Sequence, residues 1–66
     1  MRVIVRLQGA ANAQALFDVL RGRNVRWATH HWRSGWHSLA FDFASVPDAQ
    51  QFIRDLFPDL RFTANT

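Results

Sequence analysis

The chain of 66 residues has no cysteine, no lysine and no glutamate. Without cysteine it can form no disulfide, no thiolate nucleophile and no zinc–cysteine cluster. A chain this short buries little apolar area against its conformational entropy, so its stability has to come from aromatic-rich packing or from self-association. The length leaves room for one domain, residues 1–66, and for nothing further.

All charged side chains are arginine or aspartate, and the formal net charge is +3. Arginine makes planar, bidentate contacts with phosphate or carboxylate and stacks on rings, so this bias favours a polyanion or an acidic protein as partner. A G+C-rich coding sequence is the simpler explanation of this composition. Codon bias accounts for the absence of lysine at every position, whereas a binding function would account for it only within one surface patch.

Long apolar segments are also absent from the sequence. No run of apolar residues approaches the length of a membrane span, and residues 1–7 pass directly into a strand pattern without a small-residue cleavage site. These absences predict a soluble, cytoplasmic protein that has no membrane partner.

The first third of the chain predicts one strand and one helix. Residues 2–8 alternate with period two, as in a half-buried strand, and apolar residues then recur at helical spacing from Gly9 to about Arg21. Asn12 is the predicted N-cap of this helix, and Gly22 is the predicted left-handed residue at its C-terminal end.

The last third repeats this pattern at a constant offset. Ser45 is the predicted cap of a second helix, Pro47 lies in its first turn, and Pro58 ends it. A short last strand, with apolar residues at alternate positions, is predicted by Leu60, Phe62 and Ala64.

Residues 25–32 and 36–43 are predicted to form a β-hairpin. A three-residue loop over residues 33–35, ending in glycine, pairs Trp32 with Trp36 and His31 with His37. Continued along the hairpin, the predicted pairs are His30–Ser38, Thr29–Leu39, Ala28–Ala40, Trp27–Phe41, Arg26–Asp42 and Val25–Phe43.

Each half of the sequence is therefore one strand–helix–strand unit. Two right-handed units of this kind interleave into an α+β fold, the ferredoxin-like βαββαβ sandwich. The predicted four-stranded antiparallel sheet has the order 4-1-3-2, with both helices on one face. The other face of the sheet is left uncovered, and it is the one sizeable functional surface that the pattern predicts.

Basic and aromatic residues dominate the predicted uncovered face. Two neighbouring tryptophans flanked by arginines are typical of a nucleic-acid platform, because bases stack on aromatic rings while arginine neutralises phosphates. The candidate residues for binding nucleic acid or a protein partner are Trp32, Trp36, Arg2, Arg6, Arg26, Arg61 and His30.

The segment Gly35-Trp36-His37-Ser38-Leu39-Ala40-Phe41 resembles the RNP1 segment of RNA-recognition motifs, which share this fold and stack bases on aromatic residues of the central strands. The resemblance implies an exposed stacking role for Trp36 and buried positions for Leu39 and Phe41. Ser38 and Ile4 stand where that family has its other exposed aromatic residues.

The same face also suits a protein partner. Ala28, Ser38 and Ala40 form a predicted flat centre of small side chains, which allows close sheet-on-sheet packing in a homodimer or against a protein that is inhibited. Amino-acid-sensing ACT domains are similar in topology, which adds an effector-binding regulatory domain as a second alternative.

Catalysis and metal binding find little support in the sequence. His31 and His37 are predicted neighbours, but two ligands are too few for a tetrahedral site, and His30 points to the other face. No cofactor motif and no arrangement of a catalytic triad is present. The sequence therefore predicts a non-enzymatic module, without metal or cofactor, that binds single-stranded nucleic acid.

Overall fold

A computed structural model describes the backbone of residues 1–66 and the side chains of residues 1–27 and 31–66. The elements are β1 (Arg2–Gln8), α1 (Ala10–Gly22), β2 (Trp27–Arg33), β3 (Trp36–Asp42), α2 (Val46–Leu56) and β4 (Phe62–Asn65). The strands form one antiparallel sheet in the order β2-β3-β1-β4, which reads 4-1-3-2 from the β4 edge. The predicted α+β class, with a four-stranded antiparallel sheet and two helices, is confirmed.

Both helices contribute to one hydrophobic core on one face of the sheet. Every second residue of β1 is buried and the residues between are exposed, as the alternation predicted. The core consists of Val3, Val5, Leu7, Ala13, Leu16, Leu20, Leu39, Phe41, Ala49, Phe52, Ile53 and Ala64. The opposite face, which carries Arg2, Ile4, Arg6 and Gln8 of β1, is called the open face from here on.

The ends of α1 differ from the prediction. The helix begins at Ala10, and Gly9 with a φ of 98° occupies the N-cap position in place of Asn12. Asn12 lies within the first turn, where its Nδ2 donates to the carbonyl oxygen of Gln8 at 3.0 Å. At the other end the left-handed residue is Asn24, with a φ of 57°, since Gly22 is still helical.

The start of α2 follows the prediction. Ser45 caps the helix, because its Oγ accepts a hydrogen bond from the backbone N–H of Asp48 at 3.2 Å. The helix ends at Leu56, two residues before Pro58. Among the described residues, no helix combines the length and the apolar character that crossing a membrane requires.

The turn between β2 and β3 is shorter than predicted. Ser34 and Gly35 alone connect the strands, and their φ angles of 53° and 81° are both positive, as a two-residue type I′ turn requires. Arg33 is thus part of β2 and pairs with Trp36. The predicted pairing of Trp32 with Trp36 is wrong, because Trp32 lies opposite His37.

A bulge in β2 then restores the predicted register. Thr29 pairs with Ala40 and Trp27 with Phe41, so β2 holds one extra residue between Trp27 and Thr29. The Trp27–Phe41 pair is as predicted, and the N–H of Asp42 donates to the carbonyl oxygen of Arg26 at 3.1 Å. The predicted pairs that are wrong in addition to the tryptophan pair are His31–His37, His30–Ser38, Thr29–Leu39, Ala28–Ala40 and Val25–Phe43.

This shift of one residue exchanges the faces of β2. Because strand side chains alternate, each residue between the bulge and the turn changes sides. His31 pairs with Ser38 and Arg33 with Trp36, so both belong to the open face. Trp32 pairs with the buried His37 and belongs to the face that the helices cover.

We expect Ser34→Asn to stabilise the protein by about 0.5 kcal/mol, because asparagine adopts a positive φ more readily than serine at the first position of a type I′ turn. Urea unfolding followed by circular dichroism measures the change. Gly35→Ala is the opposite control: a Cβ there meets nothing within 4 Å, but the φ of 81° makes it destabilising by about 1 kcal/mol. Unchanged stability in Ser34→Asn would contradict the two-residue turn.

Candidate functional site

The open face has two chemically different ends. At the end where β2 turns into β3, called the hairpin end, one row across the sheet holds Arg33, Trp36 and Gln8. The next row holds His31, Ser38, Arg6 and Thr63. At the far end Asp42 lies opposite Arg2. The cationic and aromatic groups are therefore concentrated at the hairpin end.

Trp36 stands at the centre of the hairpin end. Its side chain is 40% exposed, between Arg33 on one neighbouring strand and Gln8 on the other. The N–H of Gly9 donates to the carbonyl oxygen of Gly35 at 3.0 Å, which ties the β1–α1 loop to the turn next to Trp36. The strand that carries this indole is thus held from both sides.

A groove open to solvent lies beside Trp36 on the open face and is called the face groove. Its lining residues are Arg6, His31, Arg33, Ser34, Trp36, His37, Ser38 and Thr63. Two guanidinium groups, two imidazoles and an indole thus line one depression. No carboxylate contributes to its lining, so the groove is suited to an anionic ligand.

A second groove, the edge groove, runs between α2 and the outer edge of β4. It is lined by Trp36, Gln50, Arg54, Leu60, Arg61, Phe62, Thr63, Ala64 and Asn65. Trp36 and Thr63 line both grooves, so the two depressions adjoin each other at the hairpin end of β4. The edge groove adds two further arginines, Arg54 and Arg61.

Negative charge on the open face is confined to the far end. Among the described strand residues of the open face, Asp42 carries the carboxylate. It lies six residues from Trp36 along β3, a distance of about 20 Å. Among the described side chains, neither Arg6 nor Arg33 forms an ion pair with a carboxylate. Their charge is available to a ligand in solution.

Four of the predicted site residues lie on the open face or line a groove beside it. Trp36, Arg2 and Arg6 lie on the open face, and Arg61, directly before β4, lines the edge groove together with Trp36. Arg26 precedes β2 and shares a small depression with Arg2 and Asp42 at the far end. Arg2 and Arg26 are thus remote from the indole that they were predicted to flank.

Two predicted site residues fall elsewhere. Trp32 is 65% exposed, but it projects on the helix-covered side of the sheet and does not neighbour Trp36 on the open face. The reason is the two-residue turn, which shifts β2 by one position against β3. His30 pairs with Leu39 through its backbone, and its side chain lies outside the described residues.

Sequence reasoning missed three residues of the grooves. His31 and Arg33 are brought to the open face by the two-residue turn, and reading Ser34-Gly35 as a type I′ turn would have found both. Arg54 depends on how α2 is rotated about its own axis over the sheet, for which the sequence holds no direct signal.

The three tryptophans are divided between the two sides of the sheet. Trp27 is 42% exposed on the helix-covered side, where its ring centroid lies 4.8 Å from that of Phe17. Trp32 lies on that side as well, and Trp36 alone is on the open face. Stacking on an indole of the open face therefore depends on Trp36, which makes Trp36 and Trp32 a matched pair for mutation.

The histidines are divided in the same way. His31 lies opposite Ser38 on the open face, whereas His37 is buried with 6% exposure opposite Trp32. Their predicted contact across the hairpin is wrong for the same reason of register. Within residues 1–27 and 31–66, no three histidine or acidic side chains are grouped so that they could hold a metal ion.

No protein-family model and no curated protein matches the sequence. The geometry and chemistry of the open face therefore form the basis for a functional conclusion.

Proposed function

We propose that the protein is a non-enzymatic binding module of ferredoxin-like topology whose hairpin end binds single-stranded nucleic acid. One observation carries the proposal: the exposed ring of Trp36 stands among Arg6, Arg33 and Arg61, while Asp42 is held at the far end of the face. This arrangement combines a flat stacking surface with a local excess of positive charge.

Both parts of this arrangement match the chemistry of a nucleotide chain. A base stacks on an aromatic side chain for roughly 1 to 3 kcal/mol, and guanidinium groups bind the adjacent phosphates bidentately. A base has to be unpaired before its ring face can reach Trp36, which favours single strands over duplexes. Gln8, Ser38 and Thr63 border the indole and offer hydrogen-bonding groups to base edges.

The fold gives further support. The order β1, α1, β2, β3, α2, β4 and the sheet order β2-β3-β1-β4 agree with the ferredoxin-like plan that RNA-recognition motifs share. In the segment that resembles RNP1, Trp36 is exposed, while Leu39 and Phe41 have 0% and 1% exposure. These are the positions that a stacking strand requires.

Charge argues against the competing use of this face in a homodimer. The strand residues of the open face include three arginines, Arg2, Arg6 and Arg33, against the single Asp42. Two such faces packed against each other would repel, and buried unpaired guanidinium groups cost several kcal/mol. A polyanion removes this repulsion, whereas a second copy of the chain adds to it.

We expect Trp36→Ala to weaken binding of a mixed-sequence, fluorescein-labelled single-stranded RNA by about 5- to 100-fold, because the stacked base loses its platform. Fluorescence anisotropy at low salt measures the affinity, and circular dichroism establishes that the variant is folded. Trp32→Ala is the matched control, since it removes an exposed indole from the neighbouring strand but on the other side of the sheet.

The control is expected to bind within about 2-fold of the unchanged protein, because Trp32 contributes nothing to the open face. Equal losses in Trp36→Ala and Trp32→Ala would contradict a site on this face. Absence of binding at low salt, together with sedimentation as a dimer and a complex that tolerates high salt, would overturn the proposal in favour of a protein-interaction module.

A further inference from the structure

The cationic surface at the hairpin end does not stop at the sheet. The face groove contains Arg6 and Arg33, the edge groove contains Arg54 and Arg61, and Trp36 and Thr63 line both. Across the two grooves four guanidinium groups are present and no carboxylate lines either of them. A ligand that contacts all four guanidinium groups has to extend from the open face around β4 to α2.

Arg54 is placed at this edge by the direction of α2. The helix starts at Val46, after the far end of β3, and its last turn reaches the hairpin end, where β4 begins at Phe62. Gln50 lies one turn before Arg54, on the same side of α2, and both line the edge groove. An amide and a guanidinium group thus face the outer edge of a strand that is four residues long.

The other edge of the sheet offers no equivalent path. β2 forms that edge, its ladder is interrupted by the bulge between Trp27 and Thr29, and Trp32 projects away from the open face. Bulged edge strands are poor surfaces for an extended partner. Arg33 therefore marks one limit of the cationic surface, and its continuation lies toward β4.

We propose that a nucleic-acid strand stacked on Trp36 continues around the β4 edge, where Arg54 and Arg61 bind its next phosphates. This inference rests on the function proposed above. It extends the site to α2, a helix on the covered side of the sheet. The β4 edge is two strand spacings from Trp36's own strand, about 10 Å away. The ligand is accordingly a strand of several nucleotides and not a single nucleotide.

Ligand length provides the test. A dinucleotide has one bridging phosphate, which the arginines beside Trp36 can bind, whereas an octanucleotide can also reach α2. For Arg54→Gln we expect about 5-fold weaker binding of a mixed-sequence ribo-octamer, a slope of log K against log salt that is lower by about 0.7, and an unchanged affinity for a diribonucleotide.

Arg21→Gln is the matched control. Arg21 also lies exposed in the last turn of a helix, so its loss has the same effect on net charge and a similar effect on the helix dipole. It lines neither groove, and α1 ends at the opposite end of the sheet. Binding of the octamer to Arg21→Gln should stay within about 2-fold of the unchanged protein.

The results separate this inference from the proposed function. If the octamer binds, Trp36→Ala weakens it, and Arg54→Gln acts no differently from Arg21→Gln, the edge subsite is overturned while the stacking site stands. Equal weakening of dinucleotide and octamer in Arg54→Gln would also overturn it, because a bound phosphate at α2 is out of reach of a dinucleotide. If neither oligonucleotide binds the unchanged protein, both proposals fail.

Discussion

Replacing Arg6, Arg33 and Arg61 together by glutamine is expected to weaken binding of a single-stranded oligonucleotide about 100-fold at low salt. These three side chains surround Trp36 in the face and edge grooves. An exposed guanidinium–phosphate contact contributes roughly 1 kcal/mol, and three of them amount to a factor of about 100 in affinity. Fluorescence anisotropy of a labelled oligonucleotide at several salt concentrations measures the loss.

The salt dependence identifies the cause of this loss. Each phosphate contact to a single strand contributes about 0.7 to the slope of log K against log salt, because counterions are released on binding. The triple variant should therefore have a slope that is lower by about 2. A 100-fold loss at an unchanged slope would indicate a folding defect and not the removal of phosphate contacts.

A second triple variant, Arg2→Gln, Arg21→Gln and Arg26→Gln, controls for total charge. Both variants reduce the formal net charge of +3 by three, to zero. Arg2 and Arg26 line a depression at the far end with Asp42, and Arg21 lines neither groove, so we expect a loss below about 10-fold. Equal losses in the two triple variants would show that overall charge, and not the hairpin end, attracts the ligand.

Local signals in the sequence are sufficient for most of the architecture. The alternation over Arg2–Gln8 predicts both the strand and its buried side, because one face of the strand packs on the core. Ser45 followed by Pro47 and Asp48 predicts the start of α2, because each of these residues satisfies a requirement of a helix N-terminus.

The register of β2 could not be predicted in the same way. A three-residue loop over 33–35 and a two-residue turn at Ser34-Gly35 with a bulge further along both match Trp27 with Phe41. They differ in which side of the sheet Trp32 and His31 occupy and in whether Arg33 belongs to the strand. The side chains around the turn show no apolar and polar alternation that would decide between them. The three-residue loop therefore predicts Trp32 on the open face and His31 on the covered face, which is the reverse of the observed register.

The contribution of α2 was beyond prediction for a different reason. Periodicity identifies Ala49, Phe52 and Ile53 as its buried side, but Arg54 reaches the edge groove only through the tilt and rotation of the packed helix. Those depend on how side chains fit together across the core, which a single sequence does not display. The composition of the candidate site therefore depends on tertiary packing more strongly than the positions of the strands do.

Phe41→Ala is expected to abolish cooperative folding. Phe41 is 1% exposed, lies between Trp27 and Val3 in the sheet, and packs edge-on against Phe43 with ring centroids 5.6 Å apart. Truncating a buried phenylalanine costs about 3 to 5 kcal/mol, which equals the total stability that one core supplies to a chain of this size. The variant should show no unfolding transition in urea and weak near-ultraviolet circular dichroism.

Phe41→Leu separates this loss of packing from a loss of function. Leucine retains most of the buried volume, so we expect a cost of about 1 kcal/mol, a cooperative transition and binding close to that of the unchanged protein. Phe41 and Trp36 lie on the same strand but on opposite faces, so Trp36→Ala should lose binding while folded and Phe41→Ala should lose both. A cooperative transition in Phe41→Ala with a midpoint near that of Phe41→Leu would contradict a single core on the helix-covered face. Since the core packs on the covered side of the sheet that carries Trp36, such a result would also weaken the structural basis for a preformed stacking site there.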